Sequence, residues 1–496
     1  MCAWIAPFKS STDPERGLIQ GFLAAAALCA ASVASAAGPF DLVIANGRVV
    51  DPESGLDAVR NVGIRNGVIE AVSEAPLAGR ERVDAHGLVV APGFINLHWH
   101  GKEPRSEYYE AMDGVTSTFE LEVGVADVDR WYDERDGHMP INYGVAIGHA
   151  PVRMAVMRDP GDFLPAGDAA RKPATDAQLA EIETRVERGL QRGAVGIGFH
   201  LASTPAASRW EILQMFRLAS RYGAGGFVHI RGASSAGSAD REEGLIEAIG
   251  HSAVSGAPVH VAHINSSGQQ ATGRMLGIIE AARSRGVDIT TECYPYTAGA
   301  TRIESVVFDS WADKPPEEYA KLQWAATGER LTRETFLEYR KQGGLVLIHA
   351  NTEEVISTAV ASPLTLFASD GFDVHPRNGH PRSAGTYSRI LGRYVREQGV
   401  LTLMAALRKM TLMPAQRLEA RVPQMRKKGR INVGADADIV VFDAGRIVDR
   451  ATYEEPALYS EGMRQVIVGG RFVVRDGRVV EGATPGAPVR AAITTQ

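Results

Sequence analysis

The sequence predicts an α/β protein, a (β/α)8 TIM-like barrel carrying a small β-sandwich domain built from both chain ends. Three observations predict it. Between residues 91 and 425, short apolar runs alternate with helical stretches, the pattern of a parallel barrel of roughly 250 residues or more. Outside that region, residues 40–90 and 429–482 share another texture, in which short β-branched runs alternate with Asn-Gly and Asp-Pro turns typical of antiparallel hairpins. Histidines and carboxylates gather at the predicted C-terminal ends of the central strands.

Taken in order, residues 1–36 read as a secretory signal. Lys9 and Arg16 precede an apolar, Ala-rich segment from Leu18 to Val33, and Ala34-Ser35-Ala36 supplies an A-x-A cleavage site. No later stretch approaches about 18 uninterrupted apolar residues, so the expectation is an exported protein, periplasmic or secreted, with no integral membrane span after signal cleavage. Of Cys2, Cys29 and Cys293, only Cys293 survives that cleavage; no intrachain disulfide forms, and a packed core thiol suits it better than a nucleophile.

Residues 37–90 (DLVIANGRVVDP, VGIRNGVIEAVSE) form the first part of the β-domain, and 426–496 (GRINVGADADIVVFD, VIVGGRFVVRDGRVVEG) the second. The barrel spans 91–425. Its expected strands cover 89–97, 117–123, 142–147, 196–200, 226–229, 259–262, 288–292 and 366–369, with helices over 176–192, 211–222, 242–255 and 272–285. An insertion around 302–360, with Trp311, Pro315 and Pro316, is expected to cover the barrel mouth. The apolar fraction of 45% and charged fraction of 23% are ordinary for a globular protein, and a net charge of −6 leaves no basic field for nucleic acid.

The chemistry concentrates at the strand ends. In APGFINLHWHG (91–101), His98 and His100 stand two apart, so on a strand both imidazoles point to one side, as a divalent metal needs. The second strand, STFELEVG, carries Glu120 and Glu122 at the same spacing; the fifth ends in His229, the sixth in His263 and the eighth in Asp370. Imidazoles with a carboxylate suit zinc, and a carboxylate between two cations bridges them. Either Glu120 or Glu122 fits that role, the other serving as a hydrogen-bonding partner. His200 ends the fourth strand, either in contact with substrate or packed. His149, His260 and His349 are weaker: His260, three residues before His263, points to the opposite face, and His349 has no assigned task.

In order along the chain, GVTSTFELEVG (114–124), GAVGIGFHLASTPAAS (193–208), ECYPYTAGAT (292–301), ASDG (368–371), HPRSAGTYSRILGRYVRE (380–397), RKMTLMPAQRL (408–418) and GRINVGADADIVVFD (429–443) resemble the amidohydrolase superfamily. Within it they are most similar to the N-acyl-D-amino-acid deacylase (D-aminoacylase) branch, over nearly all of 40–482. The resemblance implies a hydrolase that cleaves the amide bond of a small N-acyl compound, an N-acyl-D-amino acid above all, through a zinc-activated water with one or two zinc ions. It implies His98 and His100 as first-strand ligands, His229 and His263 as ligands of the tighter site, and Asp370 as general acid/base. Arg382, in HPR, would meet the substrate carboxylate, and Tyr294, in YPYT, would touch substrate.

Three departures stand out. Asn96 occupies the usual acidic position of D-x-H-x-H, with Trp99 between the ligands. Where the deacylases place a metal-binding cysteine, this chain has Glu122, so a carboxylate replaces the thiolate. The lysine expected two residues after His263 is Asn265, and a serine after YPYTAG is Ala300, which alters the expected hold on a substrate carboxylate. Two other readings share the frame. A cyclic-amide hydrolase of the hydantoinase or dihydropyrimidinase kind would bridge two metals with a carboxylated lysine on the fourth strand, and GAVGIGFHL has none. An inactive exported binding protein predicts a broken ligand set, whereas His98, His100, His229, His263 and Asp370 are all present.

Overall fold

The computed structural model describes residues 39–233 and 238–495; the expected secretory signal, residues 1–36, lies outside them. Eight parallel strands form the central sheet in chain order: β1 (Phe94–Asn96), β2 (Val115–Val125), β3 (Asn142–Gly148), β4 (Gly196–His200), β5 (Gly225–His229), β6 (Val259–Val261), β7 (Ile289–Cys293) and β8 (Thr365–Phe367). Helices such as Asp176–Gln191, Arg209–Arg221 and Thr272–Ser284 cross between them with their apolar faces inward. The first two begin where a small polar residue, Thr175 or Ser208, precedes an apolar period. Thr175, for example, caps the first of these reciprocally with Gln178. The barrel interior is filled by Ile95, Phe119, Leu121, Ala146, Phe227 and Leu366, so it is a packed core and not a pore.

No continuous ladder joins β8 to β1 among the described residues; side-chain hydrogen bonds and one backbone bridge between Trp99 and Gly371 close that seam. Asn96 Oδ1 accepts from the Ser369 and His98 amides (3.1 and 3.2 Å), while its Nδ2 donates to Ser369 Oγ and Glu110 Oε2 (both 2.7 Å). Beyond it, the His100 amide donates to the Gly371 carbonyl at 2.8 Å. Trp99 packs edge-on into the same seam, where a Cβ on Gly371 would lie 2.5 Å from its ring. The two unusual residues of the first-strand motif therefore hold the ends of β1 and β8 together.

Glu110, beneath Asn96, is buried, and burial pushes its pKa up to about 8 against the opposing hydrogen bond from Asn96. An acid protonated in the fold and ionised when unfolded contributes stability that is complete below its ordinary value of 4.5 and is lost as pH rises through 8. Glu110→Gln is expected to flatten the fall in unfolding free energy between those limits. The slope removed is at most about 1.4 kcal/mol per pH unit, measured by urea titration. Asp113, raised to about 7 by burial, accounts for slope that remains.

The second domain is one nine-stranded sheet drawn from both chain ends, with Val89–Pro92 between Phe40–Asp51 and Ile439–Phe442. The sheet folds over a core that includes Ile44, Val62, Ile64, Val90, Ile439 and Ile467. Hydrogen bonds from Ile69 N to Ala435 O (2.9 Å) and from Ala437 N to Gly67 O (2.8 Å) close its far side. The single strand expected over 89–97 is divided at Gly93, its two halves serving different sheets. A Cβ at Gly93 would fall 2.1 Å from Thr116 Oγ1, so only glycine permits the crossing.

The insertion begins at Ala298, ahead of the expected 302. Its strands Ala298–Arg302, Leu322–Trp324 and Leu345–His349 form an antiparallel sheet with its own core of Ile303, Phe308, Tyr319, Trp324, Phe336 and Val346. His349 acquires a structural task there, pairing through Nε2 with Gln323 Oε1 at 2.8 Å. Cys293 is buried, and burial pushes its thiol up to about 11, which leaves it unreactive.

Candidate active site

At the barrel mouth, β2 does not continue as a regular strand. Its register against β3 breaks between Glu120 and Val125, and Gly124, at φ 67°, lies where a Cβ would meet the Ala146 carbonyl at 2.7 Å. This bulge re-aims the two glutamates. Glu120 stays behind His100, accepting from its Nδ1 at 2.7 Å and from the Val123 and Gly124 amides at 3.2 and 3.1 Å. Glu122 is carried into the centre. Its Oε2 lies 3.2 Å from His98 Nε2 and 3.6 Å from His100 Nε2, while its Oε1 lies 2.7 Å from His229 Nδ1 and 3.0 Å from His263 Nε2.

The imidazoles are aimed from outside. His98 Nδ1 donates to Glu292 Oε1 at 2.5 Å and His263 Nδ1 pairs with Ser267 Oγ at 3.0 Å, so with Glu120 on His100 all three Nε2 atoms turn inward. Glu292 takes its other hydrogen bond from His260 Nε2 at 2.9 Å. The sequence reading missed Glu292, Ser267 and His260 as orienting groups. The available signal for Glu292 was a carboxylate at a strand end, one residue removed from YPYT. It also placed His260 and His263 on opposite faces of one strand. In fact β6 ends at Val261, and His263, at φ 30°, has already turned into the helix Ile264–Gly268. Asp370, at φ 52° just past β8, places Oδ1 3.4 and 3.5 Å from the Nε2 atoms of His98 and His100. These left-handed backbones are uncommon for residues other than glycine and bring both side chains over the mouth.

Three overlapping sets offer ligand atoms within 4.8 Å of one another: His98–His100–Glu122, Glu122–His229–His263 and His98–His263–Asp370. Electrostatics shows what charge the pocket requires. Burial alone would lower the pKa of His98, yet Glu122, Asp370 and Glu292 override it and raise it to about 10; His100 is raised likewise, chiefly by Glu120. Burial opposes ionisation of Glu122 and Asp370 as well. His98 and His229 nonetheless hold Glu122 below the usual carboxylate range, and Arg382 and His98 do so for Asp370. Buried carboxylates that draw protons onto their neighbours mark a site built for added positive charge. Imidazole and carboxylate donors with fixed outer partners fit a divalent metal such as zinc.

The mouth opens into a cavity of about 840 Å³, lined on the barrel side by His100, Glu122, His200, His229, His263, Tyr294 and Asp370, and on the insertion side by Val306, Phe308, Trp311 and Ile348. Tyr294 and His200 thus face the space expected of them. Two expected substrate contacts are corrected. Arg382 lies behind Asp370, not on the cavity wall: it is fully buried, Nη1 pairs with Asp370 Oδ2 at 2.8 Å, and its guanidinium stacks between Tyr294 and Phe372. Asn265 is rotated into the wall by the turn at His263, donating through Nδ2 to the Tyr294 carbonyl at 3.0 Å.

Comparison with known proteins agrees with this geometry. The amidohydrolase family profile matches residues 81–474. An N-acyl-D-glutamate deacylase of Alcaligenes xylosoxydans xylosoxydans is 31% identical over 90% of this chain and 98% of its own, and a D-aminoacylase of the same organism is 28% identical over 87% and 94%. Among solved structures, the N-acyl-D-glutamate deacylase of Bordetella bronchiseptica, complexed with zinc and a phosphonate mimic of the tetrahedral intermediate, has a TM-score of 0.77 at 26% identity, over 92% of this chain and 100% of that one. With the profile spanning the whole barrel and a relative matched along almost its full length, this chain belongs to the amidohydrolase family.

Proposed function

We propose that this chain is a zinc-dependent hydrolase that removes the acyl group from N-acyl-D-amino acids. One observation carries the reading: Glu122 turns one oxygen to the His98–His100 pair and the other to the His229–His263 pair, with Asp370 beside the first. That is the donor set of a one- or two-metal hydrolytic centre. The similarity to N-acyl-D-glutamate deacylase and D-aminoacylase supports the choice of N-acyl substrate.

When bound, zinc acidifies a water to a pKa near about 7 and polarises the scissile carbonyl. The remaining steps fall to the chain. Asp370, kept ionised by Arg382, accepts the proton of the attacking water on Oδ1 and delivers it to the leaving nitrogen. Arg382 holds Oδ2, so the free oxygen faces the reaction. Glu292, Glu120 and Ser267 keep the imidazoles in one orientation, which spares reorganisation during turnover. The insertion borders the cavity with Val306, Phe308, Trp311 and Ile348 alongside the charged Lys314, Glu318 and Lys321, so the wall facing the metal ligands is mixed.

A panel of N-acyl-D- and N-acyl-L-amino acids, assayed with zinc-loaded protein, tests the reading. Release of free D-amino acid is expected, abolished by chelation and restored by zinc. Failure to hydrolyse any member would refute it.

A further inference from the structure

His200 is a site residue that the mechanism above does not use. It ends β4, directly paired in register with His229 on β5, and its ring stacks on that of His229 at 4.1 Å between centroids and 25° between planes. Its position is rigid, because the Ser203 and Thr204 hydroxyls both donate to its carbonyl, at 3.0 and 3.2 Å. The residue is 7% exposed and lines the cavity, yet its ring makes no hydrogen bond among the described residues, and Nδ1 is fully buried without a partner. Unsatisfied buried polar groups are few in native proteins and call for a reason. A stranded donor is rarer than an unfilled lone pair, which places the ring proton on Nε2, the nitrogen left to the cavity.

Topology says what that N–H faces. In a barrel of eight strands in chain order, β4 and β8 lie four positions apart and hence across the mouth from each other. Asp370, past β8, serves the nitrogen of the scissile amide. A substrate so placed would turn its carbonyl oxygen away from Asp370, toward the Glu122–His229–His263 side, where His200 stacks on His229.

Resting on the amide-hydrolase reading, we propose that His200 is a catalytic residue that donates a hydrogen bond to the oxygen of the scissile carbonyl and stabilises the oxyanion developing there. No proton is transferred to that oxygen in this step; the N–H remains on the ring while the water oxygen bonds to the carbonyl carbon and the π pair of the C=O bond moves onto its oxygen. A neutral imidazole suits the task, since it would offer a donor without adding charge beside the groups that would hold a metal cation.

The test compares His200→Ala and His200→Gln with wild type in zinc-loaded form, on the best substrate of the panel above, with zinc per chain measured by elemental analysis. Loss of one oxyanion donor is expected to lower kcat of the alanine variant by about 10²–10³-fold. KM and zinc content should stay near wild type, and glutamine, which keeps an N–H donor, should recover about tenfold or more of that loss. Zinc content falling together with activity would overturn the role by making the ring a ligand. A kcat close to wild type, or glutamine no better than alanine, would also overturn it. Wild-type protein inactive on the whole panel would bring down the hydrolase reading itself, and this role with it.

Discussion

Asp370→Asn is expected to retain zinc and lose turnover by about 10²–10⁴-fold, the usual contribution of a positioned proton acceptor. Metal retention follows because Glu122 and four imidazoles remain, whereas an amide cannot take a proton from water and pass it to the leaving nitrogen. The substitution has a second consequence. Arg382 is fully buried and Asp370 is its ion-pair partner at 2.8 Å, so asparagine leaves a guanidinium charge uncompensated in a dry pocket. Breaking such a pair costs about 3–5 kcal/mol. The variant should therefore melt below wild type when metal-free and recover part of that loss with zinc. Calorimetry on both forms, with elemental analysis, checks it. Near-normal turnover in the asparagine variant would remove Asp370 from the mechanism.

Glu122→Ala should produce the largest loss of metal. Both histidine pairs approach this one carboxylate, so alanine deprives two ligand sets at once and leaves four imidazoles with reduced negative charge among them. Glu120→Ala is the informative comparison. Glu120 only orients His100 and clasps the turn at Val123 and Gly124, and loss of such an outer partner weakens metal binding by about 10–100-fold. Glu122→Ala should exceed that range in competitive zinc titration. The reverse order would show that Glu120 is the bridging carboxylate.

Much of this site was legible in local sequence. His98 and His100 needed only period-two spacing at a strand end, and His229, His263 and Asp370 needed only a count of strands. His200 came from the same logic and Tyr294 from the resemblance of YPYT, and both face the cavity. The choice between Glu120 and Glu122 was not legible from spacing, which treats them as equivalent. It depends on a bulge whose cause, the close approach of Gly124 to the Ala146 carbonyl, belongs to the neighbouring strand. Arg382 and Asn265 were misplaced for a related reason. A motif states which side chains are near a site, while the wall they enter is set by turns and by partners elsewhere in the chain.

By itself, then, the sequence determined the barrel, the β-domain shared by both termini and the inventory of candidate metal ligands, because each is written in short-range periodicity and strand-end position. Tertiary structure alone decided which carboxylate reaches both histidine pairs, how Asn96 and Trp99 seal the gap between β1 and β8, and that Arg382 serves Asp370 from behind. Those outcomes rest on contacts between residues far apart in sequence, where a hydrogen bond of about 3 Å depends on backbone turns that no local pattern specifies.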